Sequence, residues 1–147
     1  MLCRNRTRND RGFSHGGVAL IFNTGACTFK LMDYPNPENF EVLPCIGSLP
    51  GHSRKMLIIS CYLPPGYDVR KGKACLDHVS DHVLHCKAKY KEPYLVIMGD
   101  FSQWNISEAL SHYRDIGEAS VGPTRGSRCL DRIFVSFVED ILSLIHI

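Results

Sequence analysis

A helix-periodic stretch standing between two uninterrupted apolar runs constrains this chain more than any other feature. Lys55-Met-Leu-Ile-Ile-Ser-Cys-Tyr62 and Tyr94-Leu-Val-Ile-Met98 are short, apolar and rich in branched side chains, the pattern of buried strands. Pro64-Pro-Gly66 stops the first and Gly99 closes the second. Between them, over residues 74–90, Cys75, Leu76, Val79, Val83, Cys86 and Tyr90 share a stripe about 100° wide when successive residues turn by about 100°. A helix with such a face packs on a sheet, so strands and helix belong to one α/β unit.

The flanking segments extend this pattern. Gly17-Val-Ala-Leu-Ile-Phe22 reads as a buried strand, and Cys27-Thr-Phe-Lys-Leu-Met-Asp-Tyr34 alternates as a half-exposed one until Pro35-Asn-Pro37. Phe40-Glu-Val-Leu43 and Ile46 form another strand candidate, ended by the turn Leu49-Pro-Gly-His-Ser53. Asn105-Ile-Ser-Glu108 has the form of a capped helix start, with Ile106, Ala109, Leu110 and Tyr113 as its apolar face. Leu130 to Val135 is the last strand, after the loop Gly122-Pro-Thr-Arg-Gly126. No internal repeat, low-complexity tract or linker divides the chain.

The 147 residues suit one domain or part of a larger one. A net charge of +2 does not announce a nucleic-acid partner, and Arg4, Arg6, Arg8 and Arg11 read as a solvated basic segment over residues 1–15. The seven cysteines are scattered and form no Cys-x-x-Cys pair. No secretory signal opens the chain, and no run of about 18 apolar residues could span a membrane. The expectation is reduced thiols in a nuclear or cytoplasmic, not secreted, protein. The sequons Asn5-Arg-Thr7 and Asn105-Ile-Ser107 then have no compartment in which to act.

Three strands carry polar groups at their ends. One runs out into Tyr62, another through Gly99 into Asp100, and the last begins with Asp131. If the last strand is antiparallel to the other two, a phenol and two carboxylates converge on one rim, as a ligand crevice requires. Carboxylates beside a phenol suit phosphoryl chemistry: one orients water, another fixes a partner group, and the phenol donates to a phosphate oxygen. The plainer alternative is that each sits where a strand meets solvent. Gly99, lacking a Cβ, lets another group approach the backbone beside the acid.

Five segments in order add a resemblance. Gly16-Gly-Val-Ala-Leu20, Ile59-Ser-Cys-Tyr-Leu-Pro-Pro-Gly66, Val96-Ile-Met-Gly-Asp-Phe101, Gly122-Pro-Thr-Arg125 and Leu130-Asp-Arg-Ile-Phe134 together resemble the endonuclease/exonuclease/phosphatase superfamily. Within it they are most similar to the endonuclease domain of LINE-type (non-LTR) retrotransposons. The resemblance implies a four-layer α/β sandwich, two mixed sheets flanked by helices, with residues 16–138 as a truncated domain and 139–147 as a tail. It implies hydrolysis of phosphodiesters with Mg²⁺ or Mn²⁺, DNA as substrate, and a covalently linked reverse-transcriptase domain in a full-length protein. By position, Tyr62 resembles a phosphate-contacting tyrosine and Asp100 the aspartate that positions the attacking water, with metal contact open to it. Asp131 resembles the aspartate that orients the catalytic histidine. Thr124 and Arg125 lie in the loop that approaches the scissile region.

The departures carry equal information. Ser102 stands where the family has a phosphate-binding Asn, and a hydroxyl cannot copy an amide's geometry. A metal-binding Glu is expected upstream of Gly16 and a closing Ser-Asp-His after the last strand. The chain ends Leu142-Ser-Leu-Ile-His-Ile147, and His146 follows Ile145 instead of Asp. The expectation is an impaired or inactive nuclease. The alternatives are a non-catalytic remnant that at most binds nucleic acid, and a phosphatase or lipid phosphodiesterase of the same superfamily. Elsewhere, His78, His82, His85 and Cys86 suggest zinc by spacing, against a reading as polar flank plus core cysteine. Gly47-x-x-x-Gly51-His-Ser53 lacks the lysine and spacing of a phosphate loop. Trp104 suits either base stacking or core packing.

Overall fold

The sheet is built outward from the pair that the two apolar runs form. In the computed structural model, which describes residues 1–5, 17–32, 35, 40–102, 104, 106, 110–116 and 130–136, β5 (Lys55–Tyr62) and β6 (Tyr94–Asp100) lie side by side and parallel. Parallel neighbours need a crossover, and α1 (Val69–Lys89) supplies it. On one flank β4 (Glu41–Ser48) pairs antiparallel with β5, and β3 (Thr28–Leu31) with β4. On the other, β8 (Asp131–Val135) pairs antiparallel with β6, and β7 (Arg114–Asp115) with β8. The result is a six-stranded mixed sheet of order β3-β4-β5-β6-β8-β7. β1 (Leu2–Asn5) and β2 (Gly17–Leu20) form a separate antiparallel pair.

Alternation along each strand assigns the two faces of the large sheet. Val42, Ile46, Leu57, Ile59, Cys61, Leu95, Ile97 and Phe134 pack with Cys75, Leu76, Val79, Val83 and Cys86 of α1. Leu43, Cys45, Met56, Ile58 and Tyr94 form a second cluster with Leu20, against which Leu2 and Val18 pack. The described residues therefore build three layers: helix, large sheet and strand pair. The expected four-layer sandwich is met as two sheets and one long helix.

Local chemistry explains where elements start and stop. The helix begins five residues before the expected start at Ala74 because Asp68 caps it, its carboxylate accepting from Lys71 N at 2.7 Å. β4 runs straight through Pro44. The Pro44 carbonyl accepts from Met32 N, so its imide nitrogen also faces β3, just beyond Leu31, the last paired residue there. That nitrogen has no hydrogen to return to Met32, so the regular β3–β4 pairing ends at Leu31. Ile106 and Leu110 are buried as expected and joined by a Leu110 N–Ile106 O hydrogen bond of 2.9 Å, but residues 110–112 form a turn. The expected cap Asn105 and its partner Glu108 lie outside the described residues. No helix among the described residues is long and apolar enough to cross a membrane.

Four buried thiols give a measurable consequence. Burial pushes Cys45 and Cys86 to about 11 and Cys75 to about 12, and Cys61 also well upward, from a usual 9.0. Unfolded, these groups lose their protons near pH 9; folded, they keep them. Their contribution to stability is full below pH 9 and is lost as pH rises towards 11–12. The urea midpoint should hold between pH 7 and 8.5 and fall clearly at pH 10. At pH 8, iodoacetamide should label Cys3 and Cys27 quickly and spare Cys45, Cys61, Cys75 and Cys86 in the folded chain.

Candidate functional site

The register places the chemistry. Tyr62 pairs with Asp100 across β5–β6, and Asp100 pairs with Asp131 across β6–β8. The three share the sheet face turned towards β1–β2, at the end where β5 and β6 finish and β8 begins. All three line an open trough of about 450 Å³, walled by Gly17, Val18 and Ala19 of β2 and floored by Ser60, Met98 and Ile133. The convergence expected from the sequence is thus met in space. Thr124 and Arg125 lie outside the described residues, as does His146.

Two local devices present Asp100. Gly99 sits at φ +152°, and a Cβ there would run into the Cys61 carbonyl. The group that approaches Gly99 is therefore the backbone of the neighbouring strand, not a ligand. Beyond the acid, the chain turns at Ser102, whose φ of +51° lies in the left-handed region. Asp100 Oδ1 accepts from Ser102 N at 2.7 Å and from its hydroxyl at 3.3 Å. This Asx-type turn holds the carboxylate in one rotamer. Asn tolerates the left-handed region better than Ser does, so the residue expected here on family grounds also has a conformational reason to be preferred.

Charge decides what the trough can accept. Two carboxylates directly opposite on adjacent strands repel. Among the described residues of the lining the one cation is Arg132, half-buried and ion-paired with Asp115. A phosphate would enter beside two carboxylates, so a divalent cation is what would make it welcome. The donors fit Mg²⁺ in kind, since that ion takes carboxylate oxygens and completes its shell with water and substrate phosphate. They do not form a cage: among the described residues no group of three His, Cys, Asp or Glu side chains is placed to hold an ion.

Sequence reading missed Glu41. It pairs with Tyr62 across β4–β5, which extends the rim row to Glu41–Tyr62–Asp100–Asp131 on four adjacent strands. It is buried, and its Oε2 accepts from Gly17 N at 2.7 Å. The available signal was a lone acid between Phe40 and Val42 at the start of an apolar strand. Of the remaining candidates, His82 and Cys86 are buried, Trp104 packs against the core, and His78 and His85 are half-buried. Trp104 lays its ring against Gly72 of α1, which answers the choice between stacking and packing. His82 is fully buried, contrary to its reading as polar flank. Its Nε2 lies 3.1 Å from Nε2 of His78, and that hydrogen bond offsets the burial.

The α/β arrangement of sheets and helix is similar to that of a solved endonuclease domain. The endonuclease domain of TRAS1, a telomere-specific non-LTR retrotransposon, matches with a TM-score of 0.61 at 17% identity, over 97% of this chain and 69% of that domain. The human nocturnin catalytic domain with bound sulfate matches at 0.49 and 15% identity, over 78% of this chain and 50% of that domain, too distant to carry an argument. At these identities the likeness establishes the fold alone. No protein-family model matches the chain, and no curated protein matches it in sequence.

Proposed function

We propose that this chain is the frame of a DNA endonuclease domain of the retrotransposon type, with its phosphate-binding rim in place and its catalytic set weakened. The observation that carries this reading is the register of Tyr62, Asp100 and Asp131 along one trough. In it, the Tyr62 phenol donates to a backbone phosphate oxygen and Asp100 orients water. Asp131 fixes a neighbouring group, while Thr124 and Arg125 contact the strand. Ser102 takes the place of the amide donor and spends its hydroxyl on Asp100. Mg²⁺, held through Asp100 and Asp131, would supply charge neutralisation at the phosphate. With two carboxylates to hold it among the described residues, and one oxygen already accepting from Ser102, the ion would be retained weakly.

Loss of one preorganised donor costs roughly 10²–10³ in rate, and weak metal retention compounds it. Supercoiled plasmid incubated with the chain and 5–10 mM Mg²⁺ (roughly the range in which weak carboxylate sites begin to fill) should remain unnicked above the protein-free control. Nicking that is clear and disappears in an Asp100→Ala variant would show a complete site and refute the weakened one. p-Nitrophenyl phosphate, a phosphomonoester, should not be hydrolysed either.

A further inference from the structure

Glu41 stands in the rim row, two strands away from Asp100. Its contact points elsewhere. The carboxylate, at 3% exposure, reaches off its own sheet to the backbone N–H of Gly17, the first residue of β2 and part of the trough wall. Gly17 has φ +127°, a conformation that side chains rarely adopt, and in it the N–H meets Glu41. A buried acid, a glycine-only backbone and a 2.7 Å bond thus converge on one joint between the two sheets.

We propose that Glu41 is a positioning residue of the trough: by holding Gly17 it sets how far the β1–β2 pair stands from Tyr62 and Asp100. The role in ligand binding rests on the phosphate-binding reading of the trough; the pinning does not. A carboxylate bonded to a backbone N–H is stronger than a neutral acceptor and buried from competing water. Leu2, Val18 and Leu20 also join the β1–β2 pair to the large sheet through apolar contacts, which permit sliding; a directed bond at the rim fixes the register of one layer over the other.

Two substitutions separate reach from charge. Glu41→Gln keeps an oxygen at the same distance; Glu41→Asp keeps the charge but falls one carbon short. Amide hydrogen exchange on the ¹⁵N-labelled full chain reads the joint directly. In Glu41→Asp, exchange at Gly17 should rise about tenfold while amides of β5 and β6 keep their protection, and in Glu41→Gln it should change by less than about threefold. Unchanged exchange at Gly17 in Glu41→Asp, or equal acceleration throughout the chain, would overturn the proposal. Binding of a short fluorescein-labelled DNA duplex in Mg²⁺ forms a separate arm. Weaker binding in Glu41→Asp than in Glu41→Gln supports positioning of the ligand. Absence of binding by the native chain refutes the phosphate-binding reading, and the exchange comparison still decides whether Glu41 holds the wall.

Discussion

Alanine at Gly99 is expected to cost about 4 kcal/mol or more, a large share of the roughly 5–15 kcal/mol that holds a domain of this size together. Two effects act together. A Cβ at φ +152° is strained in itself, and here it would occupy the position of the Cys61 carbonyl oxygen. That oxygen is backbone in the central strand β5, so no side-chain rotation relieves the clash. Relief requires β5 and β6 to part at their site-bearing ends, which separates Tyr62 from Asp100. The urea midpoint of Gly99→Ala should therefore drop steeply, or the chain should fail to accumulate in folded form. A stability within about 1 kcal/mol of the native one would mean that β6 does not approach β5 so closely at Gly99.

Gly72→Ala poses a contest between two known magnitudes. In a helix interior alanine is favoured over glycine by about 1 kcal/mol. Against this, the new methyl would lie 2.6 Å from Trp104 Cζ2 and closer still to Cη2 and Cζ3. Overpacking against a rigid ring costs typically 1–3 kcal/mol, and the Trp104 indole has little room to retreat, since its Nε1 is buried. The clash should win, with a net loss of about 1 kcal/mol and at most about 2. Trp104 is the only tryptophan, so its fluorescence reports the displacement directly. A shift of emission towards longer wavelength with a lowered urea midpoint is the expected result. A rise in stability would show that propensity outweighs packing at this contact.

The same two glycines show how far the sequence could be read. Gly99 could be recognised as special because it precedes an acid at a strand end, but the partner that demands it, Cys61, is thirty-eight residues away. Gly72 gave no local sign at all; it weakened the helix pattern and so hid the first turn of α1. The buried strands were legible from their apolar runs: β5 was placed residue for residue, and β6 extends to the Asp100 that the motif singled out. β1 was hidden because Leu2–Asn5 carries no alternating pattern of its own; it is a strand only because β2 pairs with it. The two-residue β7 exists for the same reason, through β8.

At the rim the division is sharper. Tyr62, Asp100 and Asp131 were identifiable as polar residues at strand ends, because the chemistry of a strand end is written locally. Ser102 was identifiable as a departure, but its left-handed backbone and its bond to Asp100 were not. Glu41 went unnoticed, since nothing in Phe40-Glu-Val says that the acid reaches another sheet. What the amino-acid sequence determined by itself was the α/β unit: apolar runs of strand length around a helix with one apolar face can bury their surfaces in few other ways. What only the tertiary structure decided was which end of which strand faces which. Register is a property of pairs distant in the chain, and it is register that lines Glu41, Tyr62, Asp100 and Asp131 along one edge.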